Sequence, residues 1–304
     1  MKSLPSEEEL KKQIMLTSVI VWHRELTDKD LEAWLSNFTG QAFDRKYERQ
    51  IALWLLANFV YYNDAEVKHL CKTLYKDFVH YMLQKNSGPK MKVNEPCIKL
   101  FSKLKFYHLG RPGESGAYIL YYFRQENCLP IDNFISDPSQ LPAEVKTVVF
   151  VDDVTLSADT RSSQAFIYLK KAVKTYFREK TVILITLIAS EKAKQFLNKE
   201  GIEVISCITL DERNRCFSEE SNVFRNFYDH RDNCEKVAMH YGRKINKDHP
   251  LGFNNGQYMF GFFFNTPDNT LPIFWSEDKG WQPILKRYEK KHSKGQHIEL
   301  ERFV

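Results

Sequence analysis

The sequence predicts an α/β protein: a mostly parallel central sheet with helices on both faces, preceded by a helical N-terminal region. Three observations carry this. After about residue 99, apolar runs alternate with helix-length segments, the order of a parallel sheet with covering helices. The runs TVVFVDDV and TVILITLIAS lack a polar alternation, as expected of strands buried on both faces. Up to about Gln84, by contrast, the apolar residues recur only at helical spacing.

The N-terminal helices come first. TDKDLEAWLSNF opens with a capping signature, Thr27 followed by Asp30, and then places Leu31, Trp34, Leu35 and Phe38 on one face. ERQIALWLLANFVYY is apolar almost all round and predicts a buried helix. DAEVKHLCKTLYKDFVHYML repeats Val67, Leu70, Leu74, Phe78 and Met82 as an amphipathic face. KNSGPKMKVNEP breaks the pattern with Gly88, Pro89 and Pro96, which sets a boundary between a helical region 1–95 and an α/β region 96–304, packed as one fold.

Next, KLKFYHL reads as a strand, GRPGESG as a loop and AYILYYFRQEN as a helix. A loop with Pro130, Pro138 and Pro142 leads to the strand TVVFVDDV. A helix over about 157–180, the strand TVILITLIAS, the helix EKAKQFLNKEG and the strand IEVISCITL follow, with Gly201 at a helix C-cap position. SNVFRNFYDHRDNCEKVAMHYGRKI reads as two helices, QYMFGFFF as a strand, and WQPILKRYEKK as a final short helix.

The chemistry concentrates where TVVFVDDV ends. Ligands of open parallel sheets bind beyond the carboxyl ends of the strands, and Asp152 and Asp153 stand there. Two carboxylates can accept hydrogen bonds from sugar hydroxyls or hold a hydrated magnesium ion. The start of the next helix offers backbone N–H groups to a phosphate. The turn SADT equally fits a well-started helix, with Ser157 as N-cap and Asp159 favouring the dipole. Upstream, GRPGESG again joins a strand to a helix. Gly110, Gly113 and Gly116 permit close backbone approach, Arg111 supplies a cation and Ser115 a hydroxyl. In HPLGFNNGQYMFGFFFNTPDNTLPIFW, Asn265, Asn269 and Trp275 suit a wall over a base or a second substrate, or a turn around a buried Trp.

The apolar strand, the acid pair and the Ser/Thr-bearing turn resemble the phosphoribosyl-diphosphate loop of type I phosphoribosyltransferases. The resemblance implies that Asp152 and Asp153 face the ribose as catalytic groups. It implies that Thr155, Ser157, Ala158, Asp159 and Thr160 surround the 5-phosphate, while Arg111, Gly113, Ser115 and Gly116 grip the diphosphate. A substrate-bound Mg2+ would touch Asp152 and Asp153 indirectly. The turn lacks the family's glycines, and Asp159 sets a negative charge where a phosphate would lie. Like charges ~4 Å apart cost about 4 kcal/mol at an effective dielectric near 20.

WLSNF, GRPGESG, VVFVDDV, LIASEKAKQFL, GIEVISCITL, PLGFNNGQ and NTPDNTLPIFW together resemble the phosphoribosyltransferase-like proteins of bacterial conflict systems. That resemblance implies the effector of an anti-phage or toxin–antitoxin-type module, retron-linked in some cases, with a protein or ribonucleoprotein partner. Three functions stay open: an enzyme acting at ribose C1 of a phosphoribosyl or nucleotide substrate, a nucleotide-sensing module without turnover, and a structural partner docking through its aromatic helices.

Composition narrows little else. Charged residues are 27% and the formal net charge is +5, which permits contact with a polyanion without arguing for it. No apolar run nears the ~20 residues of a membrane span, and MKSLPSEEELKKQ lacks a signal-peptide core, so a cytoplasmic protein is expected. The six cysteines show no C-x-x-C pair; Cys207 reads as a small core residue. His108 can reach the site or serve the core, YDHRDN reads as a solvated helix end, and Lys286, Arg287, Lys290, Lys291 and Lys294 read as a solvated basic tail or as a contact for nucleic acid.

Overall fold

Four parallel strands build the main sheet: β2 (Leu104–His108), β3 (Thr147–Thr155), β4 (Thr181–Ser190) and β5 (Glu203–Leu210), paired in that order. The computed structural model describes residues 3–86, 102–111, 113–157 and 164–288. The register is continuous, with Phe106 beside Val149, Val149 beside Ile183, and Ile183 beside Glu203.

The strand period of two sorts β3 between two cores. Val149 and Val151 join α4 (Asp64–Asn86) and α5 (Ser115–Glu126) through Phe78, Ile119 and Phe123. Val148 and Phe150 join α6 (Gln164–Tyr176) and α7 (Glu191–Lys199) through Phe166, Leu169 and Leu197. Residues 148–153 of β3 are buried on both faces, which explains its apolar run.

The chain does not cross the sheet in one direction. From β2 it passes through α5, and Phe134 then pairs in parallel with Phe106 on the side of β2 away from β3. The Ile135 amide donates to the Phe106 carbonyl at 2.9 Å. Only afterwards does the chain return to β3. The direction of winding therefore reverses between β2 and β3, and the loops after these strands lead to helices on opposite faces. Such a switch point leaves a crevice at the carboxyl ends of the strands.

A third core joins the two ends of the sequence. It holds α1 (Glu7–Ile20), α2 (Asp28–Leu35), α3 (Arg45–Ala57), α8 (Arg231–Ile245) and the segment Leu271 to Leu285. The fully buried Trp34 donates its indole N–H to the Ile273 carbonyl at 2.8 Å and stacks on Phe274. Capping boxes start α1 at Ser6 and α2 at Thr27. Gly201 ends α7 with φ +80°.

Some elements differ from the sequence reading. The apolar run ending in FVYY splits into α3 and a short strand β1 (Val60–Tyr62), which pairs in parallel with β6 (Phe260–Phe262). QYMFGFFF keeps only those three residues as strand, because the turn Phe262–Asn265 closes immediately after it. The expected two helices before residue 246 are two single 3-10 turns, Asn222–Phe224 and Tyr228–His230, followed by α8. The helix after β3 is described from Gln164 and ends at Tyr176. Residues 281–288 contain no helix, being tied instead to other segments, as when Arg287 donates to the Thr266 carbonyl at 2.5 Å. Cys207, on β5, is half-buried against α4, and its thiol donates to the Leu70 carbonyl at 3.3 Å. The boundary segment KNSGPKMKVNEP lies mostly outside the described residues. Among the described residues no helix is long and apolar enough to cross a membrane.

Candidate active site at the carboxyl end of the sheet

The acid pair and the glycine loop meet at the switch point. Asp152 and Asp153 are buried at the end of β3, at 6% and 5% exposure. The first turn of α5 lies against them. Ser115 donates its hydroxyl to Asp153 Oδ1 at 3.0 Å, and the Val154 N–H reaches the same oxygen at 2.9 Å. A Cβ on Gly116 would stand 2.1 Å from the Leu109 carbonyl oxygen and 3.2 Å from Asp152 Oδ1, so only glycine permits this approach.

Burial pushes the Asp153 carboxyl up. Hydrogen bonds from Asp152, Ser115 and the Val154 N–H oppose the shift without cancelling it. Two buried carboxyl groups side by side oppose each other's ionisation. Thr155 follows, its hydroxyl oxygen buried without a hydrogen-bond partner. His108, at the end of β2, is half-buried, and burial lowers its pKa.

Beside the pair, a cleft of about 580 Å³ opens over the carboxyl ends of β3, β4 and β5. Its walls include Ser157, Ser190, Lys192, Glu212, Arg215 and Asn254. Asn254 Nδ2 donates to Ser157 Oγ at 2.6 Å, which ties the GFNNGQ loop to the end of β3. The two cations are held by Glu212, to Lys192 at 2.6 Å and to Arg215 at 2.8 Å. Lys192 first, then Arg215, keeps the Glu212 carboxyl below its usual range.

The loop itself is strained. Asn254, Asn255 and Gln257 have φ of +52°, +54° and +57°. Left-handed non-glycine residues cluster where surrounding structure over-determines them. Here Gly252, with φ +91°, brings the loop so close to Asn269 that a Cβ would meet its carbonyl oxygen at 2.3 Å. Asn269 closes the clasp by donating Nδ2 to the Phe253 carbonyl at 3.0 Å.

The residues singled out in the sequence fall into distinct places. Asp152, Asp153, Ser115 and Gly116 come together. Ser157 and Asn269 line the cleft. Arg111 is exposed and Gly113 exposed with φ +89°, both on the glycine loop. Ala158, Asp159 and Thr160 lie outside the described residues. Asn265 is away from the cleft, its Oδ1 accepting the Tyr288 N–H at 3.1 Å. Trp275 is a core residue, donating to the Thr270 carbonyl at 2.9 Å under the Arg287 guanidinium. Sequence reasoning missed Ser190, Lys192, Glu212, Arg215 and Asn254. The one signal for Asn254 was the NNG triplet, which favours left-handed backbone.

Among the described residues no cluster of three or more His, Cys, Asp or Glu side chains could hold a metal ion. The acid pair is turned to its own neighbours.

The fold is an α/β one, a parallel sheet flanked by helices, with two buried acids at the carboxyl end of an inner strand. The profile of the PRTase-CE family matches residues 31–287, and the chain belongs to that family. A search of curated proteins finds no match. Among solved structures, orotate phosphoribosyltransferase from Aeropyrum pernix is similar at 16% identity, over 46% of this chain and 73% of that one, with a TM-score of 0.25.

Proposed function

We propose that this chain is a phosphoribosyltransferase-like enzyme that binds a phosphoribosyl or nucleotide substrate and acts at the ribose C1 carbon. The observation that carries the reading is the acid pair at the switch point, roofed by the first turn of α5. In the proposed complex the ribose hydroxyls replace the contact between Asp152 and Asp153, each carboxyl accepting a sugar O–H. The orphaned Thr155 hydroxyl gains a ligand partner. Arg111 and the loop amides of residues 113–116 lie on the side of the leaving diphosphate, where positive charge stabilises the departing oxygens. Magnesium, carried in by the substrate, would neutralise part of the diphosphate charge. The biological setting we propose is a bacterial anti-phage or toxin–antitoxin-type effector, retron-associated in some cases, with a protein or ribonucleoprotein partner in the cytoplasm.

Binding of phosphoribosyl diphosphate with Mg2+ tests the substrate class. The Asp152→Asn, Asp153→Asn double variant should lose affinity by on the order of 100-fold. Equal affinity in wild type and variant would end the reading. Nucleotide profiling of expressing cells tests turnover, with a depleted or new nucleotide that requires the acid pair as the expected result.

One observation favours a second reading, nucleotide sensing without turnover. Both acids are buried, Asp153 is held towards its protonated form, and neither lines the cleft. An unchanged nucleotide profile together with tight binding would select it.

A further inference from the structure

A second cavity, of about 520 Å³, lies on the α6 side of the sheet. None of the cleft residues belongs to it. Its lining includes Tyr107, Arg111, Ile167, Tyr168, Lys171 and Tyr176. That volume is within the range of small-molecule sites.

The floor is aromatic and fixed. Tyr107 is buried, packed edge-on against Phe150 and Phe177. Burial first, and then its hydrogen bond with Tyr168, pushes the Tyr107 phenol up to about 12, so the floor is neutral. The rim comes from α6. Ile167, Lys171 and Thr175 recur every fourth residue, and Tyr168, Ala172 and Tyr176 form the adjoining row, so one helix face supplies one wall. Ile167 and Tyr176 stay 41% and 46% exposed, an unusual expense of apolar surface at a cavity mouth.

The charges are uneven. Arg111 and Lys171 both border the cavity, and neither has an acidic side-chain partner among the described salt bridges. Glu114 also borders it, its Oε2 accepting the Arg111 backbone N–H at 3.2 Å; its negative charge leaves the two cations in excess by one. Tyrosine faces suit a planar aromatic ring, and a guanidinium beside an ammonium suits a phosphate. We infer that this cavity is an accessory site for a mononucleotide, next to the proposed site at Asp152 and Asp153 and sharing Arg111 with it. The base lies among the tyrosines and Ile167, and the phosphate lies between Arg111 and Lys171.

The test uses the full chain and adenosine monophosphate. Photolabelling with an azido-adenosine monophosphate, followed by peptide mapping, should mark the 167–176 segment, and unlabelled adenosine monophosphate should suppress the mark. Calorimetry should show weaker binding of both adenosine and ribose 5-phosphate, by about tenfold or more, since each lacks half of the recognised chemistry. Lys171→Glu, at an exposed position, should weaken adenosine monophosphate binding by about tenfold or more. Thr175→Trp, also exposed, should block the mouth without disturbing the core. The Asp152→Asn, Asp153→Asn variant should keep the mark, whatever becomes of phosphoribosyl diphosphate binding. Labelling confined to other segments, or labelling indifferent to both α6 variants, would overturn the assignment.

Discussion

Glu48 is a fully buried carboxylate outside the sheet, held on both oxygens. Its Oε1 accepts the N–H groups of Ala42 and Phe43 at 2.5 and 3.0 Å. Its Oε2 accepts the Gly40 N–H at 2.6 Å and the Tyr241 hydroxyl at 2.5 Å. Burial opposes ionisation, but the Tyr241 hydroxyl and these N–H groups outweigh it and hold the carboxyl below its usual range. Glu48→Gln should therefore cost about 3 kcal/mol in denaturant unfolding, because either amide orientation sets an NH2 group against a backbone donor. A carboxylate with a depressed pKa contributes stability above its unfolded value, about 4.3, and loses it as pH falls through the folded value. The Glu48→Gln variant should accordingly show a flatter acid limb.

Asp153 runs the opposite way. Its folded pKa is raised, so its contribution is complete below the unfolded value of about 3.9 and is lost as pH rises through the folded value. Asp153→Asn keeps the acceptor oxygen without the buried charge. Its Tm should equal or exceed that of wild type at pH 8, with a smaller advantage at pH 4. A variant that melts earlier than wild type at pH 8 would show the pair to be ionised and better solvated than its burial implies.

The elements around the site are held by two close approaches. Gly116→Ala drives a Cβ into the Leu109 carbonyl, so the first turn of α5 must lift and Ser115 must leave Asp153. A loss of about 2–3 kcal/mol is expected by thermal unfolding. Gly252→Ala combines a left-handed backbone with a clash at Asn269, and should cost about as much. The two variants separate in function. The first should impair phosphoribosyl diphosphate binding, while the second should disturb the cleft and the Asn254–Ser157 contact.

Across the whole molecule, the first helices are not an appendage. α4 covers one face of the sheet, β1 pairs with β6, and α1 to α3 share a core with α8 and residues 271–285. Trp34→Ala removes a fully buried ring and its hydrogen bond to Ile273, and should cost about 3–5 kcal/mol. Deleting residues 3–57 would uncover that core. The remainder should aggregate or be cut rapidly in limited proteolysis; a well-folded, protease-resistant product would show the sheet region to be independent.

The strands and the main helices were legible along the chain because the relevant physics is local. TVVFVDDV and TVILITLIAS carry no polar face, Thr27 and Asp30 cap α2, Gly201 ends α7, and an acid pair at a strand end stands out against nine residues of strand. β1 was not legible, since three residues after an apolar helix have no period of their own and become a strand only by meeting β6 some 200 residues later. The same limit hid the functional surroundings. Nothing near Lys192 or Arg215 announces a cleft, and nothing in NTPDNTLPIFW tells that Asn269 faces it while Asn265 and Trp275 do not. Periodicity, capping and turn chemistry act between neighbours in sequence and so fix the elements. Which side chains share a cavity depends on strand order, on the reversal between β2 and β3, and on the clasp of Gly252 against Asn269, all of them contacts between remote segments that exist only once the chain has closed.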